Sequence, residues 1–168
     1  MNTTRGRKGK EEIIPAARAL IMLGCPQIPI QTSAALYLAA RLKEKAIVTT
    51  IAGTKAARAL LEVADPDRCY LTELIDLDAC IELLAEAKAD YDICFVFVHN
   101  DAGITYTATV AALTQGSVFS VLFGDETDTL AAGMTEISSE TVIAPGSHNP
   151  LNMKRKLDRV MEWVVLKH

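Results

Sequence analysis

Two runs restrict the fold of this chain more than anything else in it: YDICFVFV at residues 91–98 and SVFSVLF at residues 117–123. A strand with one face in water alternates apolar and polar residues. A strand that is apolar at nearly every position is covered on both faces, the condition of a strand inside a parallel sheet flanked by helices. Between the two runs, residues 103–114 are rich in Ala and Thr and carry no charge. Strand, uncharged helix, strand is a βαβ unit.

The rest of the chain repeats that alternation. Residues 18–24 (RALIMLG) read as strand one. Thr32 or Ser33 is expected to cap the helix that follows, with Ala34, Leu36, Tyr37, Leu38 and Leu42 as its apolar content. Residues 46–52 (AIVTTIA) read as strand two, and Gly53-Thr54 turns into a helix over 55–64 that Asp65-Pro66 stops. Residues 69–71 are a weak strand three. A helix opens at Asp76 or Asp78 and runs to about residue 89. After strands four (91–98) and five (117–123) come a short helix over 130–136, strand six over 141–144, and an amphipathic helix from Asn149 or Pro150 to about residue 166. The fold class is therefore α/β: a three-layer α/β/α, Rossmann-like, doubly wound and mainly parallel sheet of about six strands. Its expected order is 3-2-1-4-5-6, with right-handed crossovers.

At 168 residues, half of them hydrophobic, the chain suits one domain with its own core. Residues 1–16 read as a flexible basic extension and residues 17–168 as a single domain. The net charge of −4 conceals this division, because Arg5, Arg7, Lys8 and Lys10 all fall in the first ten residues; without them the balance is −8. Between Cys69 and Met153, Lys88 is the only basic residue, against 13 acids. Such a body disfavours nucleic acid, whose phosphates need Lys and Arg. The basic start, the apolar stretch to Leu23 and Gly24-Cys25 imitate a lipoprotein signal, but Glu11, Glu12 and Arg18 interrupt it. No run reads as a membrane helix. Cys25, Cys69, Cys80 and Cys94 have no paired spacing and read as reduced, mostly buried thiols of a cytoplasmic protein.

In open α/β sheets ligands bind beyond the carboxyl ends of the strands, where the winding reverses. The unusual residues gather at those ends: Gly24, Cys25, Pro26 and Gln27 after strand one; Gly53, Thr54 and Lys55 after strand two; His99, Asn100, Asp101 and Gly103 after strand four; Gly124 and Asp125 after strand five; His148 and Asn149 after strand six. These are the candidate ligand-binding residues, with strands one and four flanking the crevice. The cofactor is unknown. The first loop is not G-x-G-x-x-G and strand two lacks a terminal acid, which argues against a dinucleotide. Cys25 is a candidate nucleophile with His99 or His148 as its base. Cys25, His99, Asp101, Asp125 and His148 have the chemistry of metal ligands but not the spacing, so no metal site is assigned. Asp101 is an expected cap of the helix at Gly103, and Asn149 of the last helix. Lys55 is the one cation in these loops, so a neutral or cationic ligand, or a basic partner, suits the half built by strands four to six. The uncharged helix is a candidate homodimer contact. A non-enzymatic accessory or scaffold role is the remaining alternative.

Leu23-Gly24-Cys25-Pro26 with Pro29, Ala35-Leu36-Tyr37-Leu38, Ala64-Asp65-Pro66 and, above all, Phe97-Val98-His99-Asn100-Asp101-Ala102-Gly103 resemble a small family from methanogenic archaea, the domain of unknown function numbered eighteen-ninety. The likeness spans residues 18–125 and, more loosely, the rest. It implies a Rossmann-like cytoplasmic protein and brings no catalytic residues.

Overall fold

A computed structural model describes residues 16–167. Residues 1–15 and His168, and with them nearly all of the extension expected at 1–16, lie outside the described residues.

Six strands form one sheet in the order β3-β2-β1-β4-β5-β6. They are β1 (Arg18–Leu23), β2 (Val48–Gly53), β3 (Glu73–Asp76), β4 (Ile93–Val98), β5 (Ser117–Gly124) and β6 (Glu140–Pro145). Every neighbouring pair is parallel. The helices are α1 (Ile30–Glu44), α2 (Lys55–Ala64), α3 (Leu77–Ala85), α4 (Asp101–Leu113), α5 (Thr127–Gly133) and α6 (Pro150–Lys167). The fold is the doubly wound Rossmann-like arrangement, with its reversal between β1 and β4.

The sheet divides the core in two. Ile21, Leu23, Phe95, Phe97, Phe119 and Phe123 point toward α1, α2 and α6. Leu20, Met22, Cys94, Val96, Val98 and Leu122 point toward α3, α4 and α5. All six residues of β4 are buried, which is why its sequence shows no alternation. α4 lies tight on β4, because a Cβ on Gly103 would come within 2.9 Å of the Val98 Cα.

Some boundaries differ from the sequence reading, each for a local reason. Strand three is Glu73–Asp76, not residues 69–71. The Asp65 carboxylate accepts the Cys69, Tyr70 and Leu71 N–H groups at 2.8, 2.8 and 3.0 Å, and this holds that segment in a turn. Burial raises the Asp65 pKa, but those three bonds outweigh it and keep the carboxyl below its ordinary value. Thr32 and Ser33 do not cap α1. Pro29, already at φ −57°, lets the helix begin at Ile30, and the Ser33 hydroxyl donates instead to the Ile30 carbonyl. Asn100, not Asp101, caps α4 by accepting the Gly103 N–H at 3.2 Å. Asn149 does cap α6, through the Asn152 N–H. The fifth helix starts earlier, at Thr127, and α3 stops earlier, at Ala85. Only Cys80 and Cys94 are buried; Cys25 and Cys69 are exposed. No described helix is long and apolar enough to cross a membrane.

Candidate functional site

The register of β1 on β4 pairs Met22 with Val96. Cys25 and His99 therefore each lie three residues beyond the last paired rung, at the same edge of the sheet. The chain leaving β1 does not rise straight into α1. A Cβ on Gly124, at the end of β5, would stand 3.8 Å from Ile28. The loop from Gly24 to Pro29 thus passes over the end of β4, which lies between β1 and β5, before α1 begins. Cys25 and Gln27 are exposed on this loop, and Pro26 is half-buried. On the other side of the sheet, Gly24 faces the Tyr106 ring of α4, 3.9 Å from where its Cβ would be.

Gly24 itself is buried, and its carbonyl is the hub of one wall. It accepts from Gln31 Nε2 at 3.1 Å and, more distantly, from Thr54 Oγ1 at 3.5 Å. Thr54 also caps α2 by accepting the Ala57 N–H. Gly53 and Thr54 so fasten the end of β2 to the end of β1, while Lys55 is exposed. Gln31 is 1% exposed. Its amide nitrogen is used, but its Oε1 is buried with no hydrogen-bond partner.

His99 forms the other wall. Its ring centroid lies 5.3 Å from that of Phe123, on the side of the sheet that carries α1. Nε2 is 3.3 Å from Asn100 Nδ2, and Nδ1 is buried with no partner. The Asn100 cap decides how the ring is protonated. Because Asn100 Oδ1 accepts the Gly103 N–H, its Nδ2 faces His99 as a donor, so Nε2 accepts and the ring proton of the neutral form sits on Nδ1. Burial lowers the His99 pKa below its ordinary value, which keeps the ring neutral near pH 7. Gln31 Oε1 is thus a buried, unmet acceptor at the start of α1, and His99 Nδ1–H a buried, unmet donor beyond the end of β4.

The remaining candidates lie further along the sheet. Gly124, at φ +93°, bridges Gly146, at φ +102°, through a pair of backbone hydrogen bonds. Such angles suit glycine. Asp125 is exposed and accepts from the Ser147 hydroxyl at 3.3 Å, and His148 and Asn149 are exposed after β6. Asp101 is exposed in the first turn of α4. Among the described residues, no three His, Cys, Asp or Glu side chains converge as a metal site would require. Gln31 is absent from the sequence reading, yet it left a signal. It shares the inward stripe of α1 with Ala35, Leu38 and Leu42, all buried, and an amide on an apolar stripe has to find partners.

A family profile described as "Domain of unknown function (DUF1890)" matches residues 20–160. The chain is 30% identical over 149 residues to a protein of Methanocaldococcus jannaschii titled "Uncharacterized protein MJ0452", covering 84% of this chain and 95% of that one. It is also similar to a solved structure titled "Structure of MT0777", at 34% identity and a TM-score of 0.80, over 88% of this chain and 98% of that one.

Proposed function

The chain belongs to this family of unknown function, and from its own geometry we propose that it binds a small uncharged or cationic molecule in the crevice between the carboxyl ends of β1 and β4. The observation that carries this reading is the pair of buried, unpartnered atoms, Gln31 Oε1 and His99 Nδ1. An unsatisfied buried polar group costs about 1–3 kcal/mol, so a fold that keeps two at its switch point has a use for them. A group with an acceptor beside a donor, such as an amide, a lactam or a hydroxyl, answers both. The absence of Lys and Arg from the loops after β4, β5 and β6 argues against an anion there.

Binding is favoured over thiol catalysis with His99 as base. The only lone pair on the neutral His99 ring is engaged by Asn100, and its lowered pKa makes it a weak acceptor for the Cys25 proton. We also propose a homodimer through α4. That helix exposes Ala102, Thr105, Ala108 and Ala112, and the Thr105 and Thr109 hydroxyls donate to their own helix carbonyls, which leaves a surface whose one charge is Asp101 in the first turn.

The test is a thermal-shift screen of neutral amides, lactams and nucleosides, followed by crystallography of the hits. The reading expects a ligand hydrogen-bonded to Gln31 and His99, with binding lost in Gln31→Leu. Electron density for a single water bridging the two atoms, unchanged by every compound, would overturn it; buried waters commonly fill such a role.

A further inference from the structure

A cavity of about 250 Å³ opens on the surface between α1 and α6. Its walls are apolar, built from Ile30, Ala34, Leu151, Met153 and Leu157, with the hydroxyl-bearing Ser33 and Tyr37 at the margin. Lys154 is the one charged residue in its lining. The Lys154 ammonium donates to Asp158 Oδ2 at 2.6 Å and lies 5.4 Å from the centroid of the Tyr37 ring. Tyr37 donates to the other oxygen of the same carboxylate at 2.5 Å, and Arg41 Nε stands 4.0 Å from it. Asp158 is therefore held as a carboxylate: burial raises its pKa, but Lys154 and Tyr37 outweigh burial and lower it. An ammonium has three donors; one is spent on Asp158 and a second is directed at the Tyr37 hydroxyl. The opposite end of the cavity is lined by Ile30 and Pro150, the first residues of α1 and α6, where helix dipoles are positive. Beyond Tyr37 and Lys154 the space continues into a wider groove of about 930 Å³.

We propose that this cavity binds an amphipathic monoanion, an apolar chain or ring ending in a carboxylate. The apolar walls take its body and Lys154 takes its charge, while the groove beyond Tyr37 admits a chain longer than the cavity alone would hold. Asp158 and Tyr37 hold the Lys154 ammonium at the margin of the cavity, and its remaining donor is what a carboxylate would engage.

Decanoate and 8-anilinonaphthalene-1-sulfonate are suitable probes, with decanol as the neutral counterpart. The sulfonate should fluoresce on binding and be displaced by decanoate. Lys154→Met should weaken decanoate binding about tenfold, the scale of a hydrogen bond to a charged group, and leave decanol unchanged. Ser33→Trp, at an exposed position on the rim, should block both. Gln31→Leu should leave all three probes unaffected, which separates this cavity from the crevice. Decanoate that fails to displace the sulfonate, decanol that binds as tightly as decanoate, or binding indifferent to both rim substitutions would each overturn the proposal.

Discussion

The two faces of the sheet are built differently. α1, α2 and α6 carry nine Lys and Arg against four Asp and Glu, whereas α3, α4 and α5 carry four acids and no base. The interiors differ as well. On the first face Phe95 stacks on Phe119, Phe119 meets Trp163 edge-on, and Phe97 meets Phe123. The second has no Phe; it is filled by aliphatic side chains with Met22, Met134, Tyr91 and the two buried cysteines. Burial pushes the thiols of Cys80 and Cys94 up to about 11 and about 12. The first face thus gains by aromatic bulk and leaves gaps at its surface between α1 and α6. The second gains by close approach of small residues. Both unmet polar atoms of the crevice belong to the aromatic side, beneath the loop that closes over β4.

Substitutions can break this contrast, starting with the largest effect. Phe119→Ala should cost about 4 kcal/mol in urea denaturation and shift the Trp163 emission, whereas Val118→Ala, its neighbour on the other face, should cost about half as much. Equal losses would show that the aromatic cluster is no special support. Gly103→Ala should cost about 2–3 kcal/mol, because a Cβ there runs into the β4 backbone. Gly53→Ala on the aromatic side should cost less than about 1 kcal/mol, since its nearest neighbour is the Ala57 methyl at 3.3 Å. The reverse order would mean that close approach does not distinguish the faces.

His99 supplies a test in pH. Its folded pKa lies below the ordinary 6.5, so between the two values the unfolded chain binds more protons and stability falls as pH falls. Its contribution is flat above that window and again below the folded pKa. Thermal melts from pH 7.5 downward should show this loss beginning near 6.5, and His99→Gln should abolish that part of the slope. Last, Ala108→Arg should change stability by less than about 0.5 kcal/mol yet turn the proposed dimer into a monomer in analytical ultracentrifugation. A variant that sediments like the parent would remove α4 from the interface.

Much of this architecture was legible in residue order. The unbroken apolar runs at β4 and β5 required cover on both faces, and the alternation of elements required parallel strands. The weak third strand was misplaced because Val, Ile and aromatic content measures burial, not pairing. Cys69, Tyr70 and Leu71 look like a strand, but Asp65 had already taken their N–H groups. Half of the candidate site was legible too, since Gly24, Thr54, His99 and Asn100 stand at strand ends. Gln31 was legible only as an amide on the buried stripe of α1; which of its atoms would find a partner was not, because that depends on where the amide points.

By itself, then, the sequence determined which segments are buried, the parallel sheet they form, and the family to which the chain belongs. These follow from local composition and period, which a linear chain records. Tertiary structure alone decided that cations scattered at the two ends of the chain meet on one face, that Tyr37 reaches Asp158 across 121 positions, and that the first loop carries Ile28 to Gly124 at the end of β5. Such proximities arise only when α6 returns across the sheet to pack on α1. The same packing decides which polar atoms are left without a partner.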